Sequence, residues 1–331
     1  MPKLYLYYSG IKEVAKKYKG SETIHLGIRP YGFHAGNVLS LIVYPYLLCE
    51  EMRKLKKEPK FNLIYSINDW EQDEMDSPNK QLHPFNLKPL NTTIQFLPYD
   101  NGTDATMAEV WSERIAELTS KLLRDFPHLN LRFIRNSWLK EIPEFQELLL
   151  ETLKNPQAFA EIFGSVTKKE ILANPVYAAP VCKRCNSARN KPKLYTKKTI
   201  GFVCERCGFK QKGLLGTFNF WWYHKPLFLA RMKIFKPDLA LSGGDHFNEG
   251  DFEIRKRIAA KFMPGLKLPD MLFTPVLLTP EGQRMSKTAG NAAYGSVQKL
   301  IKLARNNNKP QISSTGALLK EMSYEKYSVS F

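Results

Sequence analysis

Residues 23–28 alternate, are rich in β-formers, and run into Pro30-Tyr31-Gly32-Phe33-His34-Ala35-Gly36-Asn37 ahead of an apolar helical stretch. A strand that ends in a glycine-containing turn and passes into a helix is the building unit of a doubly wound α/β sheet. Small residues in such a turn let a nucleotide approach the backbone, and the helix start favours phosphate charge. His34 there can donate to a phosphate that gains charge in a transition state. About 250 residues later comes Arg284-Met285-Ser286-Lys287-Thr288. Lys287 would neutralise the β- and γ-phosphates of a bound triphosphate, and Ser286 would donate to one of their oxygens. Each stretch alone reads as a helix cap or a basic loop; together they predict one ATP site built from two distant segments.

The pattern between them alternates strand and helix. The apolar helix is expected over 38–54 with a bend at Pro45, and strands over 61–67, 95–97 and 133–134. Met107, Val110, Trp111, Ile115, Leu118 and Leu122 share one face of a helix over 106–124. Helices follow over 144–153 and 156–163, then a buried aromatic helix over 217–232 carrying Trp221, Trp222 and Tyr223. A strand over 239–242 ends in Gly243-Gly244-Asp245-His246, a helix covers 252–262, and a strand over 276–278 leads to the lysine loop. Ligands of open α/β sheets bind beyond the carboxyl ends of strands, which makes 243–246 a second part of the nucleotide site. The fold class is α/β, a doubly wound parallel sheet.

Within this pattern lies a compact basic stretch. Residues 181–212 hold ten Lys or Arg and a single acid, Glu205. Cys182 and Cys185 form one Cys-x-x-Cys pair, and Cys204 and Cys207 form another after eighteen intervening residues. That spacing predicts a zinc ribbon in which four thiolates hold a structural Zn²⁺ with no open position. Its Lys and Arg side chains are either a phosphate-binding face or a solvated one. Expected units are 1–175 and 216–303 as two halves of the catalytic domain, 176–215 as the inserted ribbon, and 304–331 as a polar tail.

The chain carries 49 basic and 32 acidic side chains, a net charge of +17. An excess of this size favours polyanion partners, RNA foremost given the nucleotide signal. The N-terminus has no signal-peptide pattern, and the longest apolar run, 39–48, is too short to cross a bilayer. A cytoplasmic protein away from the membrane is expected, in which paired cysteines bind metal rather than form disulfides.

Taken together these residues resemble a class I aminoacyl-tRNA synthetase, with His34-Ala35-Gly36-Asn37 similar to that class's HIGH signature and Arg284-Met285-Ser286-Lys287-Thr288 similar to its KMSKS loop. By pattern the archaeal-type class I lysyl-tRNA synthetases are nearest. Gly27-Ile28-Arg29-Pro30, Ser66-Ile67-Asn68-Asp69-Trp70, the Cys-x-x-Cys pairs and Trp221-Trp222 running on to Gly244-Asp245-His246 carry the likeness. Three departures stand out. One residue separates Gly32 from His34 where the lysyl family usually has two. Arg284 and Thr288 alter the ends of the lysine loop. A core without the family's C-terminal anticodon-reading domain is expected.

The resemblance implies a Rossmann-like core of the synthetase (HUP) type. It also implies ATP-dependent formation of an aminoacyl adenylate, with Mg²⁺ accompanying ATP and tRNA or another RNA receiving the acyl group. His34, Asn37 and Lys287 would be catalytic. Pro30, Gly32, Gly36, Gly243, Gly244, Asp245, His246, Met285 and Ser286 would complete the ATP site. Lysine is the first amino-acid candidate, held by Asp69, Asp245, Trp221 and Trp222, whereas the Arg29 guanidinium would suit an acidic side chain. A stand-alone amino-acid ligase and a non-catalytic RNA-binding relative are the other readings.

Overall fold

The structure is a computed structural model that describes residues 2–30, 35–71, 92–99, 104–168, 170–171, 174–188, 190–196, 198–248, 250–278, 297–306 and 328–330. The chain opens with β1 (Leu4–Leu6) and α1 (Tyr7–Lys17). Next come β2 (Thr23–Ile28), α2 (Ala35–Val38), a π-helical turn (Leu39–Val43) and α3 (Tyr44–Lys54). β3 (Asn62–Ile67), α4 (Met107–Leu123) and β4 (Asn130–Arg135) follow, then α5 (Pro143–Lys154) and α6 (Pro156–Thr167). β5 (Ala178–Pro180), β6 (Lys193–Leu194), β7 (Thr199–Val203), β8 (Lys210–Leu214) and β9 (Phe220–Trp222) lead to α7 (His224–Phe235). The last part holds β10 (Leu239–Ser242), α8 (Gly244–Asn248), α9 (Asp251–Phe262), β11 (Asp270–Phe273), β12 (Val276–Leu278), α10 (Val297–Asn306) and β13 (Ser328–Ser330).

Six strands form one parallel sheet in the order β1-β11-β10-β2-β3-β4. Helices cover both faces, so the inner strands are nearly continuous apolar runs, whereas β4 at the edge alternates between half-buried and exposed residues. Ile24, Leu26 and Ile28 of β2 pack into the core beneath α1 and α3. His25 points to the opposite face, against Phe228 and Phe235 of α7 at ring-centroid distances of 5.6 and 6.3 Å. Leu4, Ala240 and Met271 join the second core, with α5, α6, α7 and α9.

The bend expected at Pro45 takes the form of the π-helical turn. Proline has no N–H to donate to the Leu41 carbonyl, and Tyr65 Oη donates to it instead at 2.9 Å. Thr106 caps α4: Glu109 N donates to Thr106 Oγ1 at 3.3 Å and Thr106 N to Glu109 Oε2 at 2.8 Å.

Two sequence expectations are corrected. Residues 217–232 are not one helix, because β9 pairs antiparallel with β5 and α7 starts only at His224. Residues 95–97 are not a strand but lie on a 3₁₀ turn (Ile94–Phe96), closed by Leu97 N donating to Ile94 O at 3.2 Å. Among the described residues no helix is long and apolar enough to cross a membrane.

Candidate active site and metal centre

From β2 the chain winds outward through β3 to β4, then returns to β10 on the other side of β2 and continues to β11. The order therefore reverses between β2 and β10, and their carboxyl ends flank the crevice where open α/β sheets bind ligands. Arg29 and Pro30 leave β2 there, and Ala35, Gly36 and Asn37 make the first turn of α2. Asn37 Oδ1 is buried without a hydrogen-bond partner among the described residues. Ser242 and Gly243 end β10, and Gly244, Asp245 and His246 start α8, Asp245 being placed by its backbone alone. Gly244 has a packing reason to be glycine, since a Cβ on it would lie 2.4 Å from the Thr274 carbonyl oxygen. Gly32, His34, Met285, Ser286 and Lys287 lie outside the described residues.

The residues expected to hold the amino acid divide into two groups. Arg29 Nε lies 3.3 Å from Glu71 Oε2, an ion pair at the rim. Asp69 is fully buried and takes donation from Ser137 N at 3.1 Å and Ser137 Oγ at 2.5 Å. Burial pushes its carboxyl up to about 6, against the opposing pull of the Ser137 donors. Its two oxygens thus brace the loop after β3 against the turn after β4. Trp222 is also fully buried, its Nε1 donating to Thr152 Oγ1 at 3.2 Å and its ring 5.2 Å from that of Phe145. Trp221 is half-buried beside it.

Around them is a polar network that sequence reasoning missed. Arg231 on α7 is 2% exposed; its Nη1 donates to Asn68 Oδ1 and, at 3.4 Å, to Asn136 Oδ1. Burial lowers this guanidinium to about 9. Asp251 is fully buried, with Lys225 Nζ at 2.8 Å, His246 Nδ1 at 2.9 Å, Arg255 Nη2 at 3.4 Å and His224 Nε2 at 3.5 Å. Burial alone would raise its carboxyl, but the nearby His224 imidazole, the hydrogen bond with His246 and the surrounding charges hold it far below the usual carboxylate range. Burial lowers His224 in spite of Asp251. The ligand atoms of His224, His246 and Asp251 lie within 4.8 Å of one another. Lys225 and Arg255 already neutralise the carboxylate, so the trio is a brace that orients two imidazoles beside β10. Of this group only His246 lies in a motif the sequence offered; His224, Lys225, Asp251 and Arg255 carry no such signal, because the group is assembled from three helices.

The four paired cysteines do converge. Cys182 Sγ lies 3.7 Å from Cys207 Sγ, and Cys185 Sγ lies 3.6 Å from Cys204 Sγ. A tetrahedral ion with bonds of about 2.3 Å to sulfur needs sulfurs about 3.8 Å apart, so this set fits one. Each pair is followed by a left-handed residue, Asn186 at φ 55° and Gly208 at φ 70°. Asn186 N donates to Cys182 O and Gly208 N to Cys204 O, both at 2.9 Å. The Phe209 backbone N–H draws the Cys207 thiol down to about 7, while burial raises Cys185 to about 12. β6, β7 and β8 form the antiparallel sheet that carries the second pair.

A family model described as "tRNA synthetases class I (K)" matches residues 10–307. No curated protein matches the sequence. Among solved structures, tyrosyl-tRNA synthetase from Archaeoglobus fulgidus, complexed with L-tyrosine, aligns at 14% identity and a TM-score of 0.39, covering 85% of this chain and 63% of that one. Tyrosyl-tRNA synthetase from Leishmania major, in complex with tyrosinol, aligns at 9% identity and a TM-score of 0.41, covering 92% and 36%. The chain thus spans less than two thirds of either structure, and likenesses this distant do not bear on substrate.

Proposed function

The chain belongs to the class I tRNA synthetase (K) family, and from that membership we propose that it uses ATP to activate an amino acid as an aminoacyl adenylate. The observation that carries this reading is the family match, which spans residues 10–307 and so includes both nucleotide-like segments. The amino-acid carboxylate attacks the α-phosphate of ATP, the mixed anhydride forms, and pyrophosphate leaves. The carboxylate is already a nucleophile, so the protein's task is positioning and charge stabilisation. In this reading Pro30, Gly32, Gly36, Gly243, Gly244, Asp245 and His246 cradle the nucleotide. His34, Asn37, Met285, Ser286 and Lys287 face its phosphates, and Mg²⁺ bound to ATP shares their charge.

Cys182, Cys185, Cys204 and Cys207 hold a structural Zn²⁺ that fixes the inserted unit 176–215. The charge of +17 supports RNA, tRNA first, as the acyl acceptor of this cytoplasmic enzyme. The resemblance to lysyl enzymes makes lysine the reference amino acid, whereas the Arg29 guanidinium would suit an acidic side chain.

The test is exchange of labelled pyrophosphate into ATP with each amino acid, with and without added tRNA. Exchange with one amino acid is expected, and Lys287→Ala should cut it by 100-fold or more while zinc stays bound. An absence of exchange under every condition refutes activation, and an unchanged rate in the variant refutes the role of Lys287. Retention of labelled amino acid on tRNA separates a synthetase from a ligase for a small acceptor.

A further inference from the structure

The inserted unit presents a sheet face that its own core does not use. On β7, Ile200 and Phe202 are buried in the core that holds Cys182, Cys204 and Phe218, whereas Val203 points the other way and is 53% exposed. Lys210, Lys212 and Leu214 of β8 alternate toward that same outer side, and all three are exposed. The register puts Lys193 of β6, Gly201 of β7 and Lys212 of β8 in one row across the three strands.

The middle of that row is glycine because an aromatic ring lies against it. A Cβ on Gly201 would come within 2.8 Å of Tyr195 Cε2 and 2.9 Å of the Gln211 carbonyl oxygen. Tyr195 is nevertheless 49% exposed, so its ring rests on the middle strand and still shows half its surface to solvent. Lys212 Nζ lies 4.3 Å and Lys193 Nζ 5.6 Å from the ring centroid. Among the described residues no carboxylate pairs with Lys193, Lys210 or Lys212, and Glu205 is the one acid in 181–212. An open antiparallel face with an aromatic ring seated on glycine suits the flat face of a base, and the lysines around it suit phosphates. A protein partner burying the same face would have to desolvate three ammonium groups.

We propose that the outer face of the β6-β7-β8 sheet binds an unpaired stretch of RNA, with one base stacked on Tyr195 and the neighbouring phosphates held by Lys193, Lys210 and Lys212. This rests on RNA being the partner of the chain, and not on the activation of an amino acid. The two ammonium groups beside the ring belong to exposed side chains. An exposed cation–π contact is weaker than the stacking of a base, so an arriving base takes the ring and the lysines turn to its phosphates. Val203 and Leu214, at opposite ends of the face, add apolar contact for the nucleotides on either side. A duplex keeps its bases stacked on one another, so it meets the lysines and leaves Tyr195 unused.

The test is fluorescence anisotropy of the full chain with an end-labelled oligouridylate and with a blunt RNA duplex of the same length. Tyr195→Leu, which still covers Gly201 but has no ring, should weaken the single strand about tenfold and leave the duplex unchanged. Tyr195→Phe should bind as wild type does. Lys193→Gln and Lys212→Gln should each lower the slope of log K against log salt by about 0.7. Ultraviolet crosslinking of the wild type to a thiouridine-substituted strand decides the matter if Tyr195→Leu fails to fold, and the crosslink is expected within 193–214. Wild-type binding by Tyr195→Leu, equal loss of single strand and duplex at an unchanged melting temperature, or crosslinks confined to residues outside 193–214 would each overturn the proposal. RNA crosslinked within 193–214 without pyrophosphate exchange would refute activation and leave the surface standing. Exchange with no RNA crosslinked there would do the reverse.

Discussion

Gly27 and Gly244 stand near the carboxyl ends of neighbouring strands for opposite reasons. Protein already occupies the space beside Gly244, where Thr274 O would lie 2.4 Å from an added Cβ, whereas ordinary van der Waals distances surround Gly27. Gly244→Ala should therefore lower unfolding free energy by about 1–3 kcal/mol, the usual cost of overpacking against backbone. A denaturant midpoint equal to wild type would contradict that packing. Asp69 gives a prediction in pH. Its carboxyl rises from an ordinary 3.8 to about 6 in the folded protein, so between those values the folded state binds more protons than the unfolded one. The favourable contribution of Asp69 is complete below about 4 and is lost as pH rises through about 6. Relative to Asp69→Asn, wild type should lose on the order of 3 kcal/mol across that window, read from melts of both proteins; a constant difference would show that the burial of Asp69 carries no such cost. Motif reading singled out Asp69 but could not tell a brace from a ligand, because that depends on Ser137, distant in sequence.

At the scale of elements, the sequence was most legible where a local pattern decides the structure. β2, β3, α4 and β10 follow from alternation and helical spacing, and the thiol cluster from two Cys-x-x-Cys pairs. The stretch before α7 was misread because aromatic residues suit a buried helix as well as a strand. Yet Phe218, Phe220 and Trp222 are buried while Asn219 and Trp221 are only half-buried, the period of two that marks β9. β1 and β11 gave no local signal. They are three and four residues long, and each depends on a parallel neighbour remote in the chain. The ribbon makes its own prediction. Cys182 and Cys204 share a core with Ile200, Phe202 and Phe218, so removing the metal should loosen that core as well as the ribbon. A strong chelator should release one zinc per chain, lower the melting temperature by several degrees and open residues 183–212 to trypsin. Purified protein free of zinc, with a melt unaffected by chelator, would contradict the assignment.

For the whole molecule, the sheet order decides where chemistry can occur. The reversal between β2 and β10 puts Gly27 and Asn37 on one segment and His246 on another that converge from two distant parts of the chain. Strand–helix alternation disclosed the fold class, but neither the place of β1 beside β11 nor the burial of Arg231 beside Gly27 could be read locally, since both arise from pairings hundreds of residues apart. The central claim is that the crevice between β2 and β10 is gripped from both sides by 34–37 and 284–288. A crystal structure with a non-hydrolysable aminoacyl-adenylate analogue tests it most directly. The account predicts the adenosine beyond the carboxyl ends of β2 and β10, with Asn37 and Lys287 within hydrogen-bond reach of the phosphate mimic. An analogue bound elsewhere, or Lys287 on the far side of the molecule from Asn37, would contradict it.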